Sequence, residues 1–451
     1  MDLKSIQSVY FIGVGGIGMS AIARYFNGRG AKVYGYDKTA TELTRTLAAE
    51  GIDIHYEEAV ERIPERVDLV VYTPAVPDSH AELQYFRQQG TPIKKRAEVL
   101  GIISRGMKAI AIAGTHGKTT TTTLTTYLLR RCGIDCTAFL GGIALDFETN
   151  FVEGASDWVV VEADEYDRSF LHLSPNIAVV LSMDADHLDI YGDEAGLHET
   201  GFRAFARQLE PGGQLYLQHR WEAEMGPVRG LATFGLEGGV YRSEQVRVED
   251  GFFTFDYRSP DHQFDGLQLS LPGRHNIENA TAAITIALQL GAREDDLREA
   301  LRSFRGIRRR FETLYRGGRG VYIDDYAHHP EELRAAIGAA KELYPEREVV
   351  GIFQPHLFSR TQDFADGFAR SLELLDEVWL MDIYPAREAP LPGVDSAWLF
   401  GKIDHPRKRR IGAAEVAAAV RVRQPEVLLT LGAGDIDLLR APLKAYFEGK
   451  K

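Results

Sequence analysis

Cysteine is nearly absent from this chain: Cys132 and Cys136 are the only two in 451 residues. That excludes a disulfide framework, and with no further Cys or His beside the pair it argues against a metal site there, so reduced structural thiols are expected. Long apolar runs are missing too. No segment approaches the ~20 residues needed to cross a bilayer, and the opening Met-Asp-Leu-Lys-Ser leads into a strand pattern with no basic and apolar leader. Cytoplasmic residence without membrane insertion is expected. Positive charge is in deficit, with 52 Lys and Arg against 65 Asp and Glu and a net charge of −13. A nucleic-acid or anionic-membrane surface is thereby disfavoured, although local basic clusters can still hold small anions. Short repeats and low-complexity tracts are also lacking. What remains, 44% hydrophobic and 26% charged residues, is an ordinary globular balance in a chain too long for one core.

Strand and helix patterns fall into three successive groups. Residues 1–106 alternate buried-strand runs (Val9 to Val14, Lys32 to Tyr36, Asp68 to Tyr72) with helical stretches, and end in an expected linker from Ile102 to Met107. Residues 107–311 restart with a strand at Met107 to Ala113 and continue with Trp158 to Glu162 and Ile177 to Ser182. Residues 312–451 restart again with Gly320 to Asp324, Val349 to Phe353, Glu377 to Met381 and Val427 to Leu431. The predicted fold is α/β with three domains, each built on a mainly parallel sheet: a Rossmann-like first domain, a central domain of the phosphate-loop ATPase kind and a Rossmann-like third.

The central group carries the most specific run, Gly114-Thr115-His116-Gly117-Lys118-Thr119-Thr120, between a predicted strand and a helix expected over Thr120 to Arg131. Its glycines let backbone N–H groups turn toward phosphate oxygens, Lys118 can reach the outer phosphates, and the Thr119 hydroxyl can ligate Mg²⁺. Gly114 and Gly117 enclose only Thr115 and His116, so the general phosphate-loop pattern is met in its Gly-Lys-Thr half alone. ATP is the expected nucleotide.

The first group carries Gly13-Val14-Gly15-Gly16-Ile17-Gly18 after a strand, with Asp37 closing the next strand. This is the dinucleotide fingerprint, and it does not choose its ligand: NAD and a UDP-sugar both offer a diphosphate and a ribose. At the end of the second central strand stands Glu162-Ala163-Asp164-Glu165-Tyr166-Asp167. Glu162 is the expected Mg²⁺ ligand beside ATP, with Asp164, Glu165 and Asp167 either supporting that ligand from behind or, as each reads when taken singly, forming a solvated acidic turn. His187, flanked by acids after the following strand, is a candidate ligand for a second Mg²⁺. His275 and Asn279 open an Ala-rich helix where they could touch the nucleotide, and Asn276 could cap it. The cationic run Arg308-Arg309-Arg310 lies at a domain boundary, where it can clamp a transferring phosphoryl group. In the third group, His328 and Arg360 sit on strand-end loops as partners for a small carboxylate or an acyl phosphate, and His329 reads as a helix cap.

Taken in order, GVGGIGMS (Gly13 to Ser20), GTHGKTT (Gly114 to Thr120), EADEYD (Glu162 to Asp167), DHLD (Asp186 to Asp189), RHNIEN (Arg274 to Asn279), DDYAHHP (Asp324 to Pro330), FQPHLFSRT (Phe353 to Thr361), YPAREAPLPG (Tyr384 to Gly393) and GAGDI (Gly432 to Ile436) resemble the Mur ligase family, in its alanine-adding class. The resemblance covers essentially the whole chain. It implies an ATP-dependent ligase that joins the lactyl carboxylate of UDP-N-acetylmuramate to L-alanine through an acyl phosphate, in cytoplasmic peptidoglycan precursor synthesis. It places the nucleotide sugar on the first domain at Gly13, Gly15, Gly16, Gly18, Met19, Ser20 and Asp37. It places ATP on the Gly114 to Thr120 loop with Asn279, Arg310 and Asp325, and two Mg²⁺ ions on Thr119, Glu162 and His187. His328 and Arg360 are implied for the amino acid, in a third domain that closes over the others. Lys118, Arg310 and His328 are the implied catalytic set. Leu357 departs from the family pattern, which often has Arg there. The rivals are a ligase that returns a preformed tripeptide to the same nucleotide sugar, an NAD-dependent dehydrogenase, which leaves the Gly114 loop idle, and a silent nucleotide-sugar binding protein.

Overall fold

The computed structural model describes residues 3–186, 188–386 and 388–449. Three sheets appear where the three groups predict them. The first holds β1 (Ser8–Ile12), β2 (Lys32–Tyr36), β3 (Asp53–His55), β4 (Leu69–Tyr72) and β5 (Ile93–Lys95), all parallel in the order β3-β2-β1-β4-β5. Its order reverses at β1, so the glycine loop after that strand opens at the switch point, where open sheets accept ligands.

The second sheet is built on β6 (Lys108–Ala113), β7 (Thr137–Ala144), β8 (Thr149–Val152), β9 (Trp158–Ala163), β10 (Ile177–Val180), β11 (Gln214–Gln218) and β12 (Leu231–Leu236). They run β12-β11-β10-β6-β9-β7-β8, and β8 is antiparallel to β7. The central strands β6, β9 and β10 are apolar along most of their length and almost wholly buried, as two covered faces require. The order reverses at β6, which delivers the phosphate loop. β13 (Tyr241–Glu249), β14 (Phe252–Arg258) and β15 (Gln263–Leu269) follow in the chain.

The third sheet contains β16 (Glu312–Gly317), β17 (Gly320–Asp325), β18 (Val349–Phe353), β19 (Glu377–Leu380), β20 (Lys408–Arg410) and β21 (Val427–Leu431). Its order is β16-β17-β21-β18-β19-β20, antiparallel at the β16 edge and parallel elsewhere.

The chain forms two compact units. One comprises Met1–Glu244, Asp256–Leu267 and Glu278–Phe304, and the other Gln245–Phe255, Gln268–Ile277 and Arg305–Lys451. Two local expectations need correction. The linker expected from Ile102 is mostly helix, since Arg96–Arg105 runs on through it with Ile103 and Ser104 buried. The helix expected from Thr120 begins at Lys118. Its run of threonines suits an isolated helix poorly, because β-branched side chains lose rotamer freedom there. Burial compensates: Thr121, Thr122, Thr123, Thr125 and Thr126 are fully buried. Both cysteines are free thiols, Cys132 half-buried and Cys136 buried.

Candidate active site

In the first unit the phosphate loop leaves β6 at Gly114, which takes a φ of 140°. A Cβ there would lie 2.8 Å from the Ser182 nitrogen, so neither the conformation nor the space admits a side chain. At Gly117, with φ 81°, a Cβ would meet Asn279 Oδ1 at 2.7 Å. Asn279 therefore stands against the loop. Thr115 Oγ1 donates to the Asp184 carbonyl (2.9 Å) and the His116 amide donates to Ser182 Oγ (2.9 Å), which pins the loop to the end of β10. Thr119 is buried at the helix start and Thr120 half-buried beside it.

Lys118 is gripped rather than extended into solvent. Its Nζ donates to both carboxylate oxygens of Glu165 (2.9 and 2.8 Å) and to the Gly114 carbonyl (2.7 Å). Side-chain exposure is 14% for Lys118 and 1% for Glu165, so Glu165 is not the solvated acid the sequence suggests. Burial works to lower the Lys118 pKa, but the Glu165, Asp164 and Glu162 carboxylates outweigh it and hold the ammonium above the usual lysine range. Glu165 is itself held in place through its carbonyl, which accepts from the Tyr191 hydroxyl (2.7 Å).

Glu162 leans over β7. A Cβ on Gly141 would fall 2.0 Å from Glu162 Oε2, so that glycine leaves the room the carboxylate occupies. Asp164 reaches Arg96 Nη2 (3.4 Å), and Asp167, at φ 52°, accepts from Lys95 Nζ (2.9 Å). His187 lies outside the described residues.

The first glycine loop has a different task at each glycine. Gly13 needs its φ of 89° to turn out of β1. A Cβ on Gly15 would strike Thr44 Cγ2 at 2.6 Å and Asp37 Oδ2 at 2.8 Å. Asp37, expected on a ribose, accepts from the Gly15 amide (2.8 Å) and the Thr39 amide (3.1 Å), which shapes the loop. Gly16 leads into the helix Ile17–Gly28. Ser20 is fully buried in that helix, and its Oγ donates to the Ile17 carbonyl (2.9 Å) and accepts from Asn150 Nδ2 (2.9 Å). Met19 instead joins Gly16, Gly18, Arg96, Glu162 and Asp164 in the lining of one cleft of about 280 Å³.

In the second unit, the strand-end loops of the third sheet gather the other expected residues. Glu332 is the hub: it accepts from the His328 amide (3.0 Å), lies 3.4 Å from His328 Nδ1 and accepts from Arg310 Nη1 (3.4 Å). Arg310 also stacks over Tyr326, 5.6 Å from the ring centre. His328 is pushed down from its ordinary pKa, first by burial and then by the Arg360 and Arg310 charges, against the opposing pull of Glu332. Arg360 thus shares the electrostatic environment of His328. His329 does cap its helix, with Nδ1 accepting from the Glu331 amide (3.4 Å). Asp325, implied as a nucleotide contact, accepts from the Phe311 amide (2.6 Å) and the Ala327 amide (2.7 Å), and burial pushes its pKa up to about 6. Leu357, just before the helix of Arg360, takes φ 67°. Such a conformation costs a residue with a side chain roughly 1–3 kcal/mol, and the loop holds it through the Leu357 amide donating to the Tyr384 carbonyl (2.9 Å) and Thr361 Oγ1 donating to the Leu357 carbonyl (2.7 Å).

The partners of three residues in this arrangement escape a reading of local motifs: those of Arg96, Glu165 and Glu332. Arg96 and Glu165 find their partners 68 and 47 residues away. Glu332 sits at helical spacing from His328, but that spacing is common on any helix.

Comparison with known proteins follows the same three-part order. The pattern of the Mur ligase family, catalytic domain, matches residues 8–108, that of the Mur ligase middle domain residues 112–287, and that of the Mur ligase, glutamate ligase domain, residues 309–434. UDP-N-acetylmuramate–L-alanine ligase of Flavobacterium johnsoniae is 48% identical over 440 residues, 97% of each chain. The protein of that name from Flavobacterium psychrophilum is 45% identical over 454 residues, 100% of each chain. Among solved structures, UDP-N-acetylmuramate-alanine ligase from Thermotoga maritima is 29% identical and superposes with a TM-score of 0.83 over 98% of this chain and 100% of its own. With matches across all three segments and near-complete coverage, the chain belongs to the Mur ligase family.

Proposed function

We propose that the chain is an ATP-dependent ligase that forms the amide between the lactyl carboxylate of UDP-N-acetylmuramate and L-alanine, in the making of peptidoglycan precursors. One observation carries the reading: a single cleft is lined both by the first glycine loop and by the acidic end of β9, whose neighbours Asp164 and Glu165 frame the phosphate-loop lysine. A nucleotide sugar on the first loop can thus present its carboxylate beside the outer phosphates of ATP on the second.

A carboxylate is too poor an electrophile to take an amine directly, so its oxygen attacks the γ-phosphorus, ADP leaves, and an acyl phosphate forms. The amine nitrogen then adds to the acyl carbon, the tetrahedral intermediate collapses, and inorganic phosphate departs with the C–O bond broken and the amide formed. Lys118 steadies the outer phosphates, and Arg310 takes charge on the transferring group. Arg360 pairs with the amino-acid carboxylate. Burial holds His328 below its ordinary pKa, which favours the neutral ring, and either that ring or an oxygen of substrate or phosphate takes the proton that the amine loses. Asn279 and Asp325 belong to the nucleotide site in the same reading.

Thr119 and Glu162 fit an Mg²⁺ ion: both offer oxygen, and Mg²⁺ takes one or two carboxylates while substrate phosphates and water complete its octahedron. When bound it would neutralise phosphate charge. The same reading gives a second ion to His187. Glu162→Ala should raise the Mg²⁺ concentration for half-maximal turnover at least ~10-fold; an unchanged titration curve would send the search for the ligand elsewhere. Cytoplasmic residence is part of this proposal, and among the described residues no helix is long and apolar enough to cross a membrane.

The deciding assay is phosphate release with ATP, UDP-N-acetylmuramate and one amino acid at a time. Release should require the nucleotide sugar and be fastest with L-alanine. Release that needs a preformed tripeptide instead would overturn the assignment in favour of a recycling ligase.

A further inference from the structure

We propose that Arg96 receives an anionic oxygen of the nucleotide sugar, and that position 18 is glycine to let it do so. This rests on the substrate assignment above and adds a residue that no sequence motif marks. Arg96 is the first residue of the helix Arg96–Arg105. A cation there opposes the helix dipole, whose N-terminus prefers negative charge. Local helix stability therefore does not explain an arginine at this position.

Its surroundings do. A Cβ on Gly18 would lie 2.7 Å from Arg96 Nη1 and 3.1 Å from its Cδ. The third glycine of the fingerprint thus leaves room for a guanidinium, which lies across the opening turn of the helix Ile17–Gly28. Arg96 Nη2 reaches Asp164 at 3.4 Å, longer than the 2.7–2.9 Å of a tight charge-assisted bond. One of five N–H donors is directed there, and the planar fork suits a second, bidentate anion. The side chain is 23% exposed and lines the 280 Å³ cleft together with Gly16, Thr73, Glu162 and Asp164. Among the described residues, Arg96 is the one cation in that lining. An anionic substrate entering between two carboxylates needs it.

Lys95 separates this role from simple strapping. It binds Asp167 at 2.9 Å in the same acidic loop but is not part of the cleft lining. If Arg96 only tied the loop down, the two neighbours would behave alike.

The test compares R96A, G18A, the double variant and K95A in steady-state kinetics and in calorimetric binding of UDP-N-acetylmuramate and UDP-N-acetylglucosamine. R96A should raise the KM for UDP-N-acetylmuramate by ~10- to 100-fold and leave that for ATP within about 2-fold. G18A, whose backbone is ordinary helix, should shift the same constant by displacing the guanidinium, and the double variant should be no worse than R96A. K95A should bind both sugars as the wild type does. Parallel weakening of both sugars assigns the oxygen to the diphosphate, and weakening of UDP-N-acetylmuramate alone assigns it to the lactyl carboxylate. An R96A protein with a lowered Tm and unchanged sugar affinities overturns the role of Arg96. A wild type that binds neither sugar overturns the substrate assignment itself, and with it this role.

Discussion

Replacing Lys118 by alanine should reduce phosphate release by at least ~10²-fold, the scale seen when one preorganised electrostatic donor is removed from a transition state. The structure adds a second effect, because Lys118 is also the partner of a buried acid. With Lys118 gone, Glu165, 1% exposed, loses the ammonium that both its oxygens contact. Breaking a buried pair from one side costs roughly 3–5 kcal/mol, so the variant should also melt at a lower temperature. The two effects separate in the double variant K118A/E165Q, which removes both charges. Its Tm should recover most of the loss while turnover stays as low as in K118A. Recovery of turnover together with Tm would mean that Lys118 serves the fold and not the phosphates, and the ATP site would have to be placed elsewhere.

How much of this is legible in the sequence depends on the range of the interactions. Strands β1, β6, β10, β18 and β21 announce themselves because a parallel strand covered on both faces must be apolar along its length. The two glycine loops are legible for an equally local reason: tight turns at strand ends need φ values that only glycine takes easily, and Gly13, Gly114 and Gly117 do take them. Local pattern does not say which acid of Glu162 to Asp167 meets which base. Taken singly, Glu165 looks like any charged loop residue, and only the pairing of β6 with β9 brings it to Lys118. Gly18 is legible as a glycine of the fingerprint, but the reason for it lies at Arg96, on the far side of β4 and β5 in the chain. Sequence pattern misplaces helix ends where packing overrides propensity, as at Lys118 and along the buried threonines.

Loss of Arg360 should strike the amino acid and spare the nucleotide. A guanidinium and a carboxylate pair through two parallel hydrogen bonds, so Arg360→Ala should raise the KM for alanine by ~10- to 100-fold with the KM for ATP nearly unchanged. A second readout follows from the charge. Arg360 helps to hold His328 below the usual histidine range, while Glu332 pulls the other way. Removing Arg360 should let the His328 pKa rise, so the acid limb of kcat/KM for alanine should move to higher pH. Arg360→Lys keeps the charge and loses the fork; it should leave that limb nearly in place while still weakening alanine. The pair of variants thus separates geometry from electrostatics at one position. Should Arg360→Ala raise the KM for UDP-N-acetylmuramate alone and leave alanine kinetics and the pH profile untouched, the amino acid does not bind at Arg360 and His328, and the roles assigned to the loops of the third sheet are wrong.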